Sequence, residues 1–139
     1  MLEQARTTVE QSDRSATFRH GDAENLAQPT DAYDVVTARH LIWTLPDPER
    51  AIDEWRRVVR PGGRLVLIAG HWDFDETFEG YEEIRDDLPL YDGRPPAELA
   101  AFLRDRGLEN VEYEPLVDSA LWGQEPNYET YMMVGDTSE

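Results

Sequence analysis

The side chains best suited to moving a proton near neutral pH are three histidines, His20, His40 and His71. They show no metal-ligand spacing, and the chain has no cysteine, so no metal site, disulfide or thiol nucleophile is expected. Arg39-His40 lies just beyond the apolar run Tyr33–Ala38, at the carboxyl end of a predicted strand. Open α/β sheets bind their ligands at that end. A loop histidine bonded to its neighbours is the alternative reading of His40. Gly21–Leu26 (GDAENL) is a turn-rich stretch after another short strand candidate, Ala16–His20, and reads either as a surface turn or as a ligand loop. Leu41, Ile42 and Trp43 either line a pocket or cover the sheet edge. Asp73 and Asp75 flank Phe74, but two loop carboxylates are the expectation in a chain with 30 acidic residues.

The elements that must position these residues are clearest between Tyr33 and Ala69. The first run is β-branched and apolar, as suits a strand buried on both faces of a parallel sheet. Asp47-Pro48 is a helix start, with an N-cap and proline at the first helical position. Ala51, Ile52, Trp55, Val58 and Val59 recur at helical spacing, while Arg50, Asp53, Glu54, Arg56 and Arg57 face away from that stripe. Pro61-Gly62-Gly63 is expected to stop the helix and turn the chain into a second apolar strand, Leu65–Ala69. Strand, helix, strand is a right-handed βαβ unit. Met1–Gln11 reads as a helix without a cap, with Leu2, Ala5 and Val9 on one face. Phe78, Tyr81, Ile84 and Leu88 suggest a short helix. A further helix is expected over Pro95–Arg106, closed by Gly107 and Leu108. Val111–Val117 and Tyr128–Val134 alternate as two strands, and Gly135–Glu139 reads as a loose tail.

A length of 139 residues gives one domain, 1–139, large enough to bury roughly 68% of its unfolded surface. The formal charge is -17, and all 13 basic residues are arginine. Besides an ordinary acidic protein, that composition suits a lysine-free surface adapted to high salt, where screening removes self-repulsion. Nucleic acid and anionic membrane are poor partners for such a field. No apolar run approaches the ~20 residues of a membrane span, and no signal-peptide pattern opens the chain, so a cytoplasmic location is expected.

Asp34-Val35-Val36, an aromatic-rich loop, DPERAIDEWRRVVRPGGRL and an apolar strand resemble the second half of a class I S-adenosylmethionine (SAM)-dependent methyltransferase. The likeness is strongest to the small-molecule branch that includes the ubiquinone and menaquinone methyltransferases. It implies a Rossmann-like α/β sheet, truncated at its N-terminus, with parallel strands and an antiparallel C-terminal pair. By resemblance, Asp22 accepts a hydrogen bond from the adenine amino group, the Ala23 N–H reaches the ring, and Arg39 lies beside the methionine half of the cofactor, chiefly through its main chain. His40 or His71 would serve as general base for the acceptor. Trp43, Trp72 and Tyr81, with Tyr91 and Leu121-Trp122, become candidates for contact with a small-molecule substrate.

The departure from the family is at the front. Met1 falls where the second family helix opens, and the nine glycines include no G-x-G-x-x-G loop. A fragment, a late start or a lost front half would each explain it. Without the first two family strands, the strand at Tyr33 exposes an edge. Direct pairing with Ala16–His20 is the least demanding remedy. A homodimer through that edge, or a longer chain, are the others. Lacking the ribose-binding acid alone costs ~1.5–3 kcal/mol, or about one to two decades of SAM affinity. The expected function is therefore SAM-dependent methyl transfer to a small molecule, with activity of the isolated chain in question. The alternatives are a non-catalytic remnant acting as an interaction or regulatory subunit, and another α/β nucleotide-binding domain.

Overall fold

The computed structural model describes residues 2–12, 14–71, 87–90, 93–116 and 129–138. Among them the chain forms α1 (Leu2–Glu10), β1 (Tyr33–Arg39), α2 (Pro48–Val58), β2 (Val59–His71), α3 (Pro96–Asp105), β3 (Glu109–Pro115) and β4 (Glu129–Asp136). The strands make one sheet in the order β1-β2-β4-β3. β1 and β2 are parallel, and the other two pairings are antiparallel. This is the α/β fold expected, with its βαβ unit and its antiparallel C-terminal pair. No helix among the described residues is long and apolar enough to cross a membrane.

The start of α2 is set by local chemistry. Asp47 Oδ1 accepts the Arg50 N–H at 3.1 Å, and Pro48 occupies the first turn, where its missing N–H costs nothing. Ala51, Ile52, Trp55 and Val58 then bury one face. Ala51, Ile52 and Trp55 meet Leu65, Leu67 and Ala69 of β2 and Tyr131 and Met133 of β4, with Leu99, Ala100 and Leu103 of α3 completing the layer. Each large side chain fully buried there contributes about 1.5–3 kcal/mol. At the end of α3, Gly107 takes φ 89°, and Leu108 N–H returns to Leu103 C=O at 3.1 Å. That is the glycine-terminated closure expected from the sequence.

The Pro61-Gly62-Gly63 turn lies elsewhere than predicted. The helix already ends at Val58, and Val59 is extended. The three residues instead make an irregularity inside the start of β2, because Tyr33 pairs with Val59 whereas Val35 pairs with Arg64. A Cβ on Gly63 would stand 2.3 Å from Val59 Cγ1 and 2.7 Å from the Asp34 carbonyl oxygen. Glycine is required there by close approach.

Three other expectations fail. Ala16–His20 is no strand. Its single large apolar residue, Phe18, is only half-buried, too little to dock a short segment on a sheet. The edge of β1 is therefore not closed by direct pairing: among the described residues β1 pairs with β2 alone. Nor is β1 buried on both faces. Val36 and Ala38 pack against the core, while Tyr33 and Val35 remain 44% and 47% exposed on the opposite face. Finally, Gly135–Thr137 is not loose. Gly135 and Asp136 extend β4, and Thr137 is buried and hydrogen-bonded across to Arg60 and Gly63. The helix predicted at Phe78–Leu88 lies outside the described residues except at its end, where Leu88 is buried.

Candidate functional site

Residues 22–31 descend along α2 before entering β1, and side chains of α2 hold them there. Asp22 opens the loop with a tight turn: its Oδ1 accepts the Glu24 N–H at 2.9 Å, and its carbonyl accepts the Asn25 N–H at 3.0 Å. The Asp22 carboxylate is exposed, and Oδ2 takes no hydrogen bond among the described residues. Ala23 is half-buried against the core, and its carbonyl accepts the Trp55 indole N–H at 2.9 Å. Glu24 Oε1 accepts the Asp47 N–H at 2.7 Å. Asp47 ends the loop that leaves the carboxyl end of β1, so this bond brings the two predicted ligand loops together.

Lower on the helix, Glu54 Oε2 accepts the Leu26 N–H at 2.8 Å. Arg57 forks onto Glu54 at 2.9 and 3.1 Å and also donates to the carbonyls of Leu26 and Gln28 and to the Thr30 hydroxyl. The Arg57 hydrogen bond, reinforced by the Leu26 N–H, holds the Glu54 carboxyl below its ordinary value against the opposing effect of burial. The sequence places Glu54 and Arg57 on the polar face of α2 and gives them no further role. The only signal for their function was an acid and an arginine three residues apart, which on most helices is a solvated pair.

At the carboxyl end of β1, Arg39 aligns with Ile68, and the His40 N–H donates to the Ile68 carbonyl at 2.8 Å. Successive residues of a strand point their backbone groups to opposite edges, so the N–H and C=O of Arg39 face the outer edge of β1. His40 sits at φ 51°, a left-handed conformation uncommon for any residue but glycine. Burial, together with the adjacent Arg39 charge, pushes its imidazole below the usual histidine value, so it is neutral at neutral pH.

Ile42–Thr44 forms a single 3-10 turn. Ile42 is core, and Trp43 is half-buried above Ala69, Leu90, Leu99 and Tyr131. His71 ends β2 opposite Glu129, which fixes its backbone at the carboxyl edge of the sheet. Trp72, Tyr81, Tyr91 and Trp122 lie outside the described residues. A cleft of about 600 Å³ opens between the start of α2 and α3, lined by Pro46, Glu49, Leu90, Arg94 and Phe102 among others. None of the predicted site residues among those described lines it. No group of three or more acidic or histidine side chains suited to a metal occurs among the described residues.

Residues 1–67 match the family model of a methyltransferase domain. The chain is 37% identical over 70 residues to a phosphatidylethanolamine N-methyltransferase of Cereibacter sphaeroides, an overlap of 49% of this chain and 34% of the relative. It is 27% identical over 119 residues to a demethylmenaquinone methyltransferase of Bacillus licheniformis, covering 69% of this chain and 50% of that one. The chain thus spans about a third to a half of the length of these curated relatives. Among solved structures, a SAM-dependent methyltransferase of Thermotoga maritima aligns with TM-score 0.60 and 26% identity over 85% of this chain and 62% of its own. The Haloferax volcanii methyltransferase in complex with the Trm112 methyltransferase activator aligns over 100% of this chain and 68% of its own, with TM-score 0.74 and 22% identity, a likeness of fold. The match over residues 1–67 and the sheet order together mark a class I SAM-dependent methyltransferase domain, with the ubiquinone and menaquinone methyltransferases among its distant homologues.

Proposed function

We propose that this chain binds SAM through the Asp22–Ala23 loop and takes part in methyl transfer to a small molecule. The observation that carries the reading is the fixed turn at Asp22. One carboxylate oxygen of this exposed residue is held by the Glu24 N–H, the other takes no hydrogen bond among the described residues, and the neighbouring residue is an alanine small enough for a ring to reach its main chain. A carboxylate oxygen suits the exocyclic amino donor of adenine. The residues therefore fit the adenine end of the cofactor, while the sequence supplies no glycine-rich loop for its other half.

SAM, when bound, supplies a methyl carbon activated by its sulfonium, so the protein needs no nucleophile of its own. What this chain contributes is position, exclusion of water and a proton acceptor. His40 is the base in this reading: its neutral imidazole takes the proton from the acceptor's O–H or N–H as that atom gains its methyl group. Arg39 contributes backbone groups at the rim of β1 rather than its guanidinium. His71, at the end of β2, is the second candidate base, and Trp43, Trp72 and Tyr81 are candidates for the substrate wall.

The test is a calorimetric titration of the 139-residue chain with SAM in molar potassium chloride, where a charge of -17 is screened. Binding weakened about tenfold or more by Asp22→Ala supports the reading. A folded chain that gives no heat with SAM overturns it.

The outer edge of β1, unpaired among the described residues, with Tyr33 and Val35 exposed on the adjoining face, favours a second reading: an interaction subunit, or a homodimer, paired through that edge. Sedimentation in rising salt distinguishes the two. A dimer that persists and ignores SAM favours the second reading, and a monomer that binds SAM removes it.

A further inference from the structure

We infer that Trp55 is a positioning residue that sets the adenine specificity of the Asp22 loop, with the Glu54–Arg57 pair holding the loop against α2. The inference rests on the reading that Asp22 takes the adenine amino group. It comes from one peptide plane. The peptide between Ala23 and Glu24 offers its carbonyl to the Trp55 indole N–H at 2.9 Å and its N–H to Asp22 Oδ1 at 2.9 Å. A peptide is planar and trans, so its C=O and N–H point in opposite directions and turn together. The indole, buried at 3% exposure in the middle of α2, cannot swing. It therefore fixes the direction of the Glu24 N–H. That N–H in turn fixes which oxygen of Asp22 is engaged and which way the other points.

The chain on either side is clamped as well. Upstream of α2, Glu24 Oε1 holds the Asp47 N–H at the N-cap. Downstream, Glu54 holds the Leu26 N–H, and Arg57 gathers the Leu26 and Gln28 carbonyls. The Asp22 turn is thus a rigid acceptor built on a helix rather than a mobile loop. The acceptor it presents discriminates by the group at the 6-position of the purine. An amino group donates to the aligned carboxylate oxygen, whereas a 6-oxo group opposes it.

The experiment is NMR titration of the full chain in molar potassium chloride with adenosine and, separately, inosine, alongside amide exchange at Glu24 and Leu26. The wild type is expected to prefer adenosine and to protect both amides. Trp55→Phe keeps an aromatic ring but removes the donor. It is expected to deprotect Glu24 and to shrink the adenosine preference ~3- to 10-fold, the scale of one hydrogen bond, with inosine affinity unchanged. Loss of affinity for both nucleosides equally would mark Trp55 as merely structural and overturn the inference. So would deprotection of Glu24 with the preference intact, although the adenine reading would then survive. A wild type with Glu24 protected and no preference for adenosine overturns the adenine reading and the inference with it. Arg57→Lys, at a partly exposed position, is the second variant should Trp55→Phe fail to fold. It loosens the downstream clamp, and a drop in adenosine preference of ~2- to 3-fold with deprotection of Leu26 is expected. An unchanged preference with Leu26 deprotected overturns the inference.

Discussion

Thr137→Val is the sharpest test of how the βαβ unit is locked. The connection from α2 into β2 is irregular, and Gly63 within it is buried. Thr137, one residue beyond β4, closes that connection from the far end of the chain. Its Oγ1 accepts the Gly63 N–H at 3.0 Å and donates to the Arg60 carbonyl at 2.8 Å. Its backbone accepts from the Gly62 N–H at 3.2 Å and donates to the Gly63 carbonyl at 2.9 Å. Valine has nearly the same shape, so the backbone bonds and the packing persist and only the hydroxyl is lost. Two side-chain bonds at a net ~0.5–1.5 kcal/mol each, with a buried N–H left unsatisfied, give a loss of about 1–3 kcal/mol. In a domain of this size that lowers Tm by roughly 3–15 °C. Thermal and urea unfolding followed by circular dichroism read the loss. Thr137→Ser keeps the hydroxyl and is expected to retain most of the stability. Ser138→Ala, exposed next door, is the neutral control. A valine variant within about 0.5 kcal/mol of wild type, or a serine variant as unstable as the valine one, would refute the reasoning.

Ile52→Ala empties a fully buried position between α2 and the sheet and is expected to cost ~2–5 kcal/mol, read as a drop in the urea midpoint without a change in slope. Gly107→Ala places a Cβ at φ 89° and 3.0 Å from the Arg56 guanidinium, and is expected to destabilise by ~1–2 kcal/mol in the same melt. Acid stability should fall in two windows. The His40 pKa is lower in the folded chain than its ordinary 6.5, so the unfolded chain binds the extra proton, and stability drops as pH falls from 6.5 towards the folded value. The difference between wild type and His40→Gln should be flat above pH 6.5 and change below it. The Glu54 carboxyl is held below 4.5, so its contribution is present above pH 4.5 and lost as pH falls through the folded value. Glu54→Gln should remove only that lower step.

How much of this was legible depended on whether one segment carried its own signal. α2 announced itself three ways, through an N-cap, a first-turn proline and an apolar stripe. α3 did so through Leu99, Leu103 and the Gly107 closure. The two C-terminal strands showed alternation, and they pair antiparallel as expected. The failures share a cause, which is that neighbours in space decide them. The run Tyr33–Ala38 is apolar enough for burial on both faces, but burial needs a covering layer, and one face has none among the described residues. Ala16–His20 has strand-forming residues without a docking side chain. Gly135–Thr137 looks like a tail until Gly63, over seventy residues earlier, supplies its partner. At the site, Arg39 ends β1 and His40 follows it, as the sequence suggests, whereas Asp22 and Ala23 lie on a loop that follows no strand. Their holders, Glu54 and Arg57, were unreadable because a polar helix face looks the same whether it meets water or a loop.

The way the Asp22 loop is held bears on whether a site can exist beside an exposed strand edge. In a sheet-built site, a ligand loop is positioned by the strand it leaves, and that strand by its neighbours. Here the residues before the loop form no strand, yet the loop itself is fixed. Its bonds run to Asp47, Glu54, Trp55 and Arg57, all on α2 or its cap, and α2 is anchored by four buried apolar side chains and proline. The adenine end of the proposed site thus inherits its rigidity from the completed face of the sheet. The outer edge of β1 can stay open, or pair with another strand, without moving Asp22. The proposed cofactor recognition at Asp22 and the proposed association through β1 are therefore separable. A substitution that blocks edge pairing is expected to change sedimentation and leave adenosine preference untouched, whereas Trp55→Phe is expected to do the reverse. If blocking the edge also abolished the preference, the loop would be positioned through β1 after all, and α2 would not be its support.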